Sequence, residues 1–316
     1  MMLKYLVILL DDTSIAFCHA NNPLTQRNII PLDTLKKAIV FGMKENLMIQ
    51  YVLPNQQLPD EYYPVLESID NIKIGTDVLV YDYIPELVEG RQIVLRISFQ
   101  TFIEDVSRII SLMREAERIS VCFTNIEDFS DDDIQLYTNA LRVFIPAIIS
   151  GYEDEHDSFA DINILSDRLQ LNQMNNCGAG VETITIAPNG RFYICPAFYY
   201  DEKTGVDNRL HHSTPMSTYS VGSLCEGLLI PNRHLYQIKY APLCRSCDAF
   251  HCHRCIWLNQ KLTWEVNTPS HQQCLMSHIE RNVAREIAIS LKQRGLASID
   301  IPLIDYLDPF YSNNRF

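Results

Sequence analysis

Two rhythms of apolar and polar positions alternate along the first half of the chain. Residues 5–10 form a short, continuous apolar run that stops at Asp11, as a strand buried on both faces would. From Asp33 the period changes, and Leu35, Ala38, Ile39 and Gly42 fall on one face of a helix. The pattern then predicts a strand over 47–53, ending at Pro54, a helix over 60–69, and strands over 78–81 and 93–97. Residues 101–119 read as a helix opened by the capping box Thr101-x-x-Glu104, with Phe102, Val106, Ile109, Ile110 and Met113 on its apolar face. A strand over 120–123, a helix over 131–143 and a strand over 162–165 complete the series.

About six such units call for parallel strands with helical crossovers, which suits an open, partial (β/α) barrel better than a closed eightfold one. Chemistry in such folds gathers at the carboxyl ends of the strands. Those ends carry Asp11, Asp12, Asn55, Asp82, Ser98, Asn125, Asp167 and Arg168. Polar residues also follow strands because loops are wet, so only a convergent set has weight.

Beyond residue 172 the punctuation changes. Only Cys18 and Cys122 precede Cys177, whereas eight cysteines fall between Cys177 and Cys274. A boundary therefore divides the chain into 1–172 and 173–316. In the second part, residues 181–187 and 191–195 alternate as strands around Pro188-Asn189-Gly190, an Asn-Gly hairpin turn with both positions expected at φ > 0. Residues 276–294 form the last predicted helix, with Met276, Ile279, Val283 and Ile287 as a packing face and Gly295 beyond its end.

Composition narrows the function classes. The 316 residues suggest about two domains, and 47% apolar content provides for a sizeable core. A net charge of −13 argues against a nucleic-acid surface and against an anionic membrane face. The apolar run near the start is too short for a span and lacks a cleavage site, so a cytoplasmic, reducing setting is expected.

In that setting close-spaced cysteines point to metal. Cys244-x2-Cys247-x4-Cys252-x2-Cys255 offers four thiolates in twelve residues, suited to zinc or to iron–sulfur clusters. With Cys177, Cys195, Cys225 and Cys274 the count reaches eight, enough for two four-thiolate sites. Cys225 has no paired spacing and reads equally well as a buried thiol, and Cys18 and Cys122 read as small apolar residues rather than ligands. His251, His253, His271 and His278 are alternative ligands or hydrogen-bonding neighbours. His211-His212 lies in a polar stretch and is given no role.

The array Cys177-x12-Gly190-x4-Cys195, then Cys244 through Cys255, then Cys274, resembles the SPASM domain of radical S-adenosylmethionine enzymes that modify peptides. The family pattern has one more residue in each of the last two intervals of the central run. The strings CDAFHCHRCIWLN, LTWEVNTPSHQQC and SHIERN, with DDTSIAFCH and ITIAPNGRFYICPAF, resemble more specifically the CXXX repeat peptide maturases. That resemblance implies a radical-SAM-like partial (β/α)6 barrel followed by a SPASM-like domain with a β-hairpin and a C-terminal helix. It implies two [4Fe–4S] clusters, one on Cys244, Cys247, Cys252 and Cys274, the other on Cys177, Cys195 and Cys255, completed by Cys225 or a non-protein ligand. A small cysteine-repeat precursor peptide would be the partner, alongside other maturation-system proteins.

The chain departs from that family at its reactive centre. Where C-x3-C-x2-C would follow the first strand, residues 11–19 contain the single Cys18, and Leu53-Pro54-Asn55 stands where Gly-Gly-Glu would contact the cofactor. S-adenosylmethionine and autonomous radical chemistry are therefore not expected. Were the protein catalytic, Asp11, Asp12, Cys18 and His19 would be tested first. The alternative is a non-catalytic scaffold, stabilised by two zinc ions or two closed clusters, that binds a peptide or partner protein. A zinc hydrolase using Asp11 or Asp12 ranks behind both, since no H-E-x-x-H is present.

Overall fold

The structure, a computed structural model, describes residues 3–88, 91–153, 159–205 and 219–301. In chain order the first elements are β1 (Tyr5–Leu9), α1 (Leu32–Lys44), β2 (Met48–Val52), α2 (Tyr63–Leu66), β3 (Asn71–Ile74) and β4 (Val78–Tyr81). Next come β5 (Gln92–Ile97), α3 (Phe99–Glu104), α4 (Val106–Leu112), β6 (Arg118–Phe123), α5 (Ile134–Arg142), α6 (Ile145–Glu153), β7 (Asp161–Ile162) and α7 (Ser166–Gln170). The remainder comprises β8 (Thr183–Ile186), β9 (Phe192–Tyr193), α8 (Pro196–Thr204), β10 (Gly222–Ser223), β11 (Gly227–Leu228), α9 (Ile256–Thr263) and α10 (His271–Gln293). Among the described residues no helix is long and apolar enough to cross a membrane.

The chain folds as two interleaved units of mixed α/β type. The first unit takes residues 1–80, 177–242 and 256–268. Its strands run β4-β3-β2-β1-β8-β9, parallel except for β9, which is antiparallel to β8. β1 lies between β2 and β8, and Leu6 through Leu10 are at most 2% exposed. Burial on both faces is why this strand reads as an unbroken apolar run. α1 covers the row with Leu35, Ala38, Ile39 and Gly42, the face the sequence predicts. Gly42 lets the helix approach closely: a Cβ there would stand 2.9 Å from the Ile49 side chain on β2.

The turn between β8 and β9 differs from the expected Asn-Gly form. Only Gly190 has φ > 0, at 73°, and its N–H donates to Ala187 O at 2.9 Å. Pro188 and Asn189 thus occupy the two central positions, and Gly190 takes the left-handed bulge that follows a type I turn.

The second unit takes residues 81–176, 243–255 and 269–316. Its parallel strands run β7-β6-β5. The single helix predicted over 101–119 is two, α3 and α4, divided at Asp105 (φ −108°, ψ 19°), and it ends at Leu112. Its cap is Ser98, whose hydroxyl accepts from Thr101 N–H at 3.0 Å, so Thr101 lies inside the first turn rather than before it. The apolar face survives this shift: Phe102, Val106, Ile109 and Met113 are all buried. Over it lies an aromatic cluster of Phe99, Phe102, Phe123, Phe129, Tyr137 and Phe144. α10, capped by Ser270 Oγ accepting from Gln273 N–H, packs Ile279, Val283 and Ile287 in a buried stripe and lies against α5, α6 and α7.

Candidate functional site

The loop after β1 carries the four residues the sequence offers for catalysis, and two of them are engaged in holding the loop. Asp11 is fully buried; Oδ1 accepts from Thr13 N–H (2.9 Å), Thr13 Oγ1 (3.1 Å) and Asn28 N–H (3.3 Å), and Oδ2 accepts from Arg27 Nε (2.8 Å). Asp12, 6% exposed, accepts from the Tyr199 hydroxyl and lies 3.5 Å from Lys203 Nζ. Tyr199 and Lys203 are four residues apart, on one face of α8. Burial first, then the Asp12 carboxylate, hold the Tyr199 phenol far above its ordinary value, so it remains the donor. Asn22 closes the loop, its amide donating to Asp12 O and Ser14 O, both at 2.8 Å. Cys18 and His19 lie half-buried within that closed loop.

The same unit gathers a first set of thiols. Cys195 is the N-cap residue of α8, in extended backbone (φ −154°, ψ 168°), and its side chain makes no capping hydrogen bond. Cys18 and Cys177 lie close enough to act on it electrostatically. Burial pushes the Cys195 thiol well up, and these two neighbours add to the shift. Cys177 is exposed and leads into a turn at Gly178–Gly180. Gly180 (φ 75°) is required there, since a Cβ would stand 3.1 Å from both the Tyr236 ring and the Ile194 side chain.

The second unit holds the other set. Cys244, Cys247 and Cys252 come from one loop, closed by Cys247 N–H to Cys244 O (3.1 Å) and Cys252 N–H to Ala249 O (2.9 Å). Burial pushes Cys244 up to about 12 and Cys252 to about 11. Cys247 goes the other way. Burial works against its thiolate, but His278, 3.5 Å away, and the Ala249 N–H at 3.4 Å outweigh it, and the thiol falls below its ordinary value. Ser277, beside His278 on α10, hydrogen-bonds to Cys252.

A buried ionic layer backs this second set. Asp248 is paired with Arg281 at 2.9 Å and with Arg168 at 3.6 Å, and Arg168 stacks over Phe250 at 4.5 Å. Glu280 accepts from Tyr137 Oη (2.5 Å) and bonds His251 Nε2 (2.9 Å). Arg254, fully buried and at φ 47°, adds positive charge beside Cys244. Sequence reasoning did not find Tyr199, Lys203, Ser277 or Glu280. Only the four-residue spacing of Tyr199 and Lys203 was visible as a local signal.

Other residues stand apart from the thiol sets or serve the backbone. Cys225 is exposed between β10 and β11, and its electrostatic neighbour is Lys37. Cys122 sits within β6, its thiol pushed to about 12 by burial. Cys255 and Cys274 are half-buried, Cys274 in the first turn of α10. His211 and His212 lie outside the described residues. The polar strand ends of the second unit are engaged locally: Asp82 holds Arg96 (2.7 Å), Asn125 accepts from Phe99 N–H (2.9 Å), and Asp167 takes Arg118 on both oxygens (2.8 and 2.6 Å).

Among the described residues no three His, Cys, Asp or Glu side chains converge closely enough to hold one metal ion. What the arrangement does offer is two groups of sulfur donors, the second with the Ala249 N–H and His278 beside the Cys247 sulfur. Neither a scan against models of known protein families nor a search of curated proteins finds a match to this chain.

Proposed function

We propose that the chain is a SPASM-type iron–sulfur protein that takes part in maturing a small, ribosomally made cysteine-repeat peptide, without a radical cluster of its own. In this reading the β/α part is a radical-SAM-like partial barrel, and the cysteine-rich segments are the SPASM-like part. The observation that supports it is the division of the spaced cysteines between two units, with the Ala249 N–H and His278 beside the Cys247 sulfur in the second. Donors of this kind support cluster-bound thiolates and tune them.

The thiols would suit either zinc or a cluster by their chemistry. Cys244, Cys247, Cys252 and Cys274 would hold one [4Fe–4S] cluster, and Cys177 and Cys195 would belong to the other. Bound clusters would supply electron transfer or an iron site for a substrate thiolate. The chain's own residues shape the surroundings: His278 lies beside the Cys247 sulfur and Ser277 beside Cys252, while Arg254 offsets thiolate charge. S-adenosylmethionine has no part in the reading, because the loop after β1 carries Cys18 alone. Another member of the system, in the cytoplasm, would supply the radical step.

A second reading, a peptide-binding scaffold without chemistry of its own, draws support from Asp11 and Asp12. Their carboxylates are occupied by Arg27, Thr13, Asn28, Tyr199 and Lys203. The test common to both is iron, acid-labile sulfide and zinc per chain after purification without oxygen. About eight iron and eight sulfide are expected for two clusters. About two zinc without sulfide would overturn the cluster reading and leave the scaffold.

A further inference from the structure

We infer that a cavity at the carboxyl end of β4 binds a free aromatic α-amino acid as its zwitterion. The cavity measures about 500 Å³, and its lining, drawn from residues 81–87 and from Arg108 on α4, falls wholly in the second unit. Clefts of ~300–1,000 Å³ are the usual size for small ligands, and open parallel sheets place them outside the carboxyl ends of their strands. The wall segment is tied at three points. Asp82 accepts from Arg96 Nη1 (2.7 Å), Ile84 O accepts from Arg108 Nη2 (2.9 Å), and Val88 N–H donates to Glu115 (3.2 Å).

Ile84 and Pro85 are buried and root the segment, whereas Tyr83 and Leu87 line the cavity while 62% and 59% exposed. Tyr81 meets Tyr83 edge to face, with ring centroids 5.6 Å apart, an arrangement that offers a third ring both a face and an edge. Charges of both signs complete the lining. Arg108 gives one of its five N–H donors to Ile84 O and lies 3.6 Å from Asp105; its other donors meet no hydrogen-bond acceptor among the described residues. The Glu86 carboxylate is exposed and likewise meets no partner among the described residues. Arg108 therefore suits a carboxylate, Glu86 an ammonium, and the tyrosines with Leu87 an apolar ring. One charge alone would select an acid or an amine; the two together select a ligand that carries both.

The test is calorimetric titration of the full chain with L-phenylalanine, which is expected to show saturable binding at one site with a dissociation constant of about 1 mM or below. Two probes each lack one charge: 3-phenylpropionate has no ammonium and phenethylamine no carboxylate. Each should bind about tenfold more weakly or worse. No saturation by phenylalanine up to about 20 mM, or equal binding of all three probes, would overturn the inference.

Two variants place the ligand. Arg108→Met and Glu86→Gln should each weaken phenylalanine binding about tenfold, and Glu86→Gln should leave 3-phenylpropionate no weaker than before. Both side chains are exposed, so an unchanged thermal unfolding curve is expected and separates lost binding from lost folding. Undiminished phenylalanine binding in both variants would overturn the assignment to this cavity. No cysteine lines it, so the outcome is read independently of the metal content.

Discussion

Asp11 is the kind of residue that draws attention in a sequence because it follows a buried strand, yet its carboxylate is occupied by holding the loop. Removing it strips partners from Arg27, Thr13 and Asn28 at once. Asp11→Ala is expected to lower stability by about 2–4 kcal/mol, measured by urea unfolding. A loss below about 0.5 kcal/mol would return Asp11 to the catalytic candidates. Tyr51 presents the opposite case. Its ring is fully buried in β2, and its hydroxyl has no hydrogen-bond partner among the described residues. Burial raises the phenol to about 12. The folded state therefore holds this proton more tightly than the unfolded chain, whose phenol ionises near ~10. The linked stability is fully present below about pH 10 and is lost as pH rises toward 12. Tyr51→Phe is expected to be neutral or to stabilise by about 1 kcal/mol, and to flatten the fall in melting temperature over that range. An unchanged alkaline limb would assign the loss to other groups.

Among the elements, periodicity was most legible where one face alone is buried. α1 matches its predicted face residue for residue; β4 spans its predicted four although all four positions are only half-buried. The stripe on α10 is also as read, and it yields a paired test. Ile287→Ala, at a buried position, is expected to cost about 2–4 kcal/mol. Ile289→Ala, at a position 45% exposed, should stay within about 0.5 kcal/mol, by thermal or urea unfolding of both variants. Equal effects would mean that the helix does not pack by this stripe. Legibility fell where a local signal had two registers. Ser98 and Thr101 are both good caps, and nothing in the segment itself decides for Ser98, whose role follows from the Phe99 N–H engaging Asn125 across the β5–β6 pair. Likewise Asn-Gly fits two turn types, and the Pro188 before it favours the type I form with Gly190 as the bulge.

For the whole molecule, the thiols show what a linear reading holds and what it omits. The set Cys244, Cys247 and Cys252 was legible because its spacing is local. The bond from the Tyr199 hydroxyl to Asp12 was not, since the two are 187 residues apart in sequence. The same long reach governs the first unit, which closes only when β8 pairs with β1. A fragment ending at residue 172 keeps β1 and β2 but leaves the apolar strand Tyr5–Leu9 with an open edge. It is expected to aggregate on expression, read by soluble yield and gel filtration. A soluble monomer with native-like circular dichroism would show that β1 does not need β8. Time enters here as well. Roughly 170 residues separate these two strands, and at ~5–20 residues per second their synthesis lasts about 9–35 s. During that interval β1 has left the ribosome and β8 does not yet exist. The demand this chain makes on chaperones is then set by how fast it is translated, and slowing elongation before residue 183 should raise the share that misfolds.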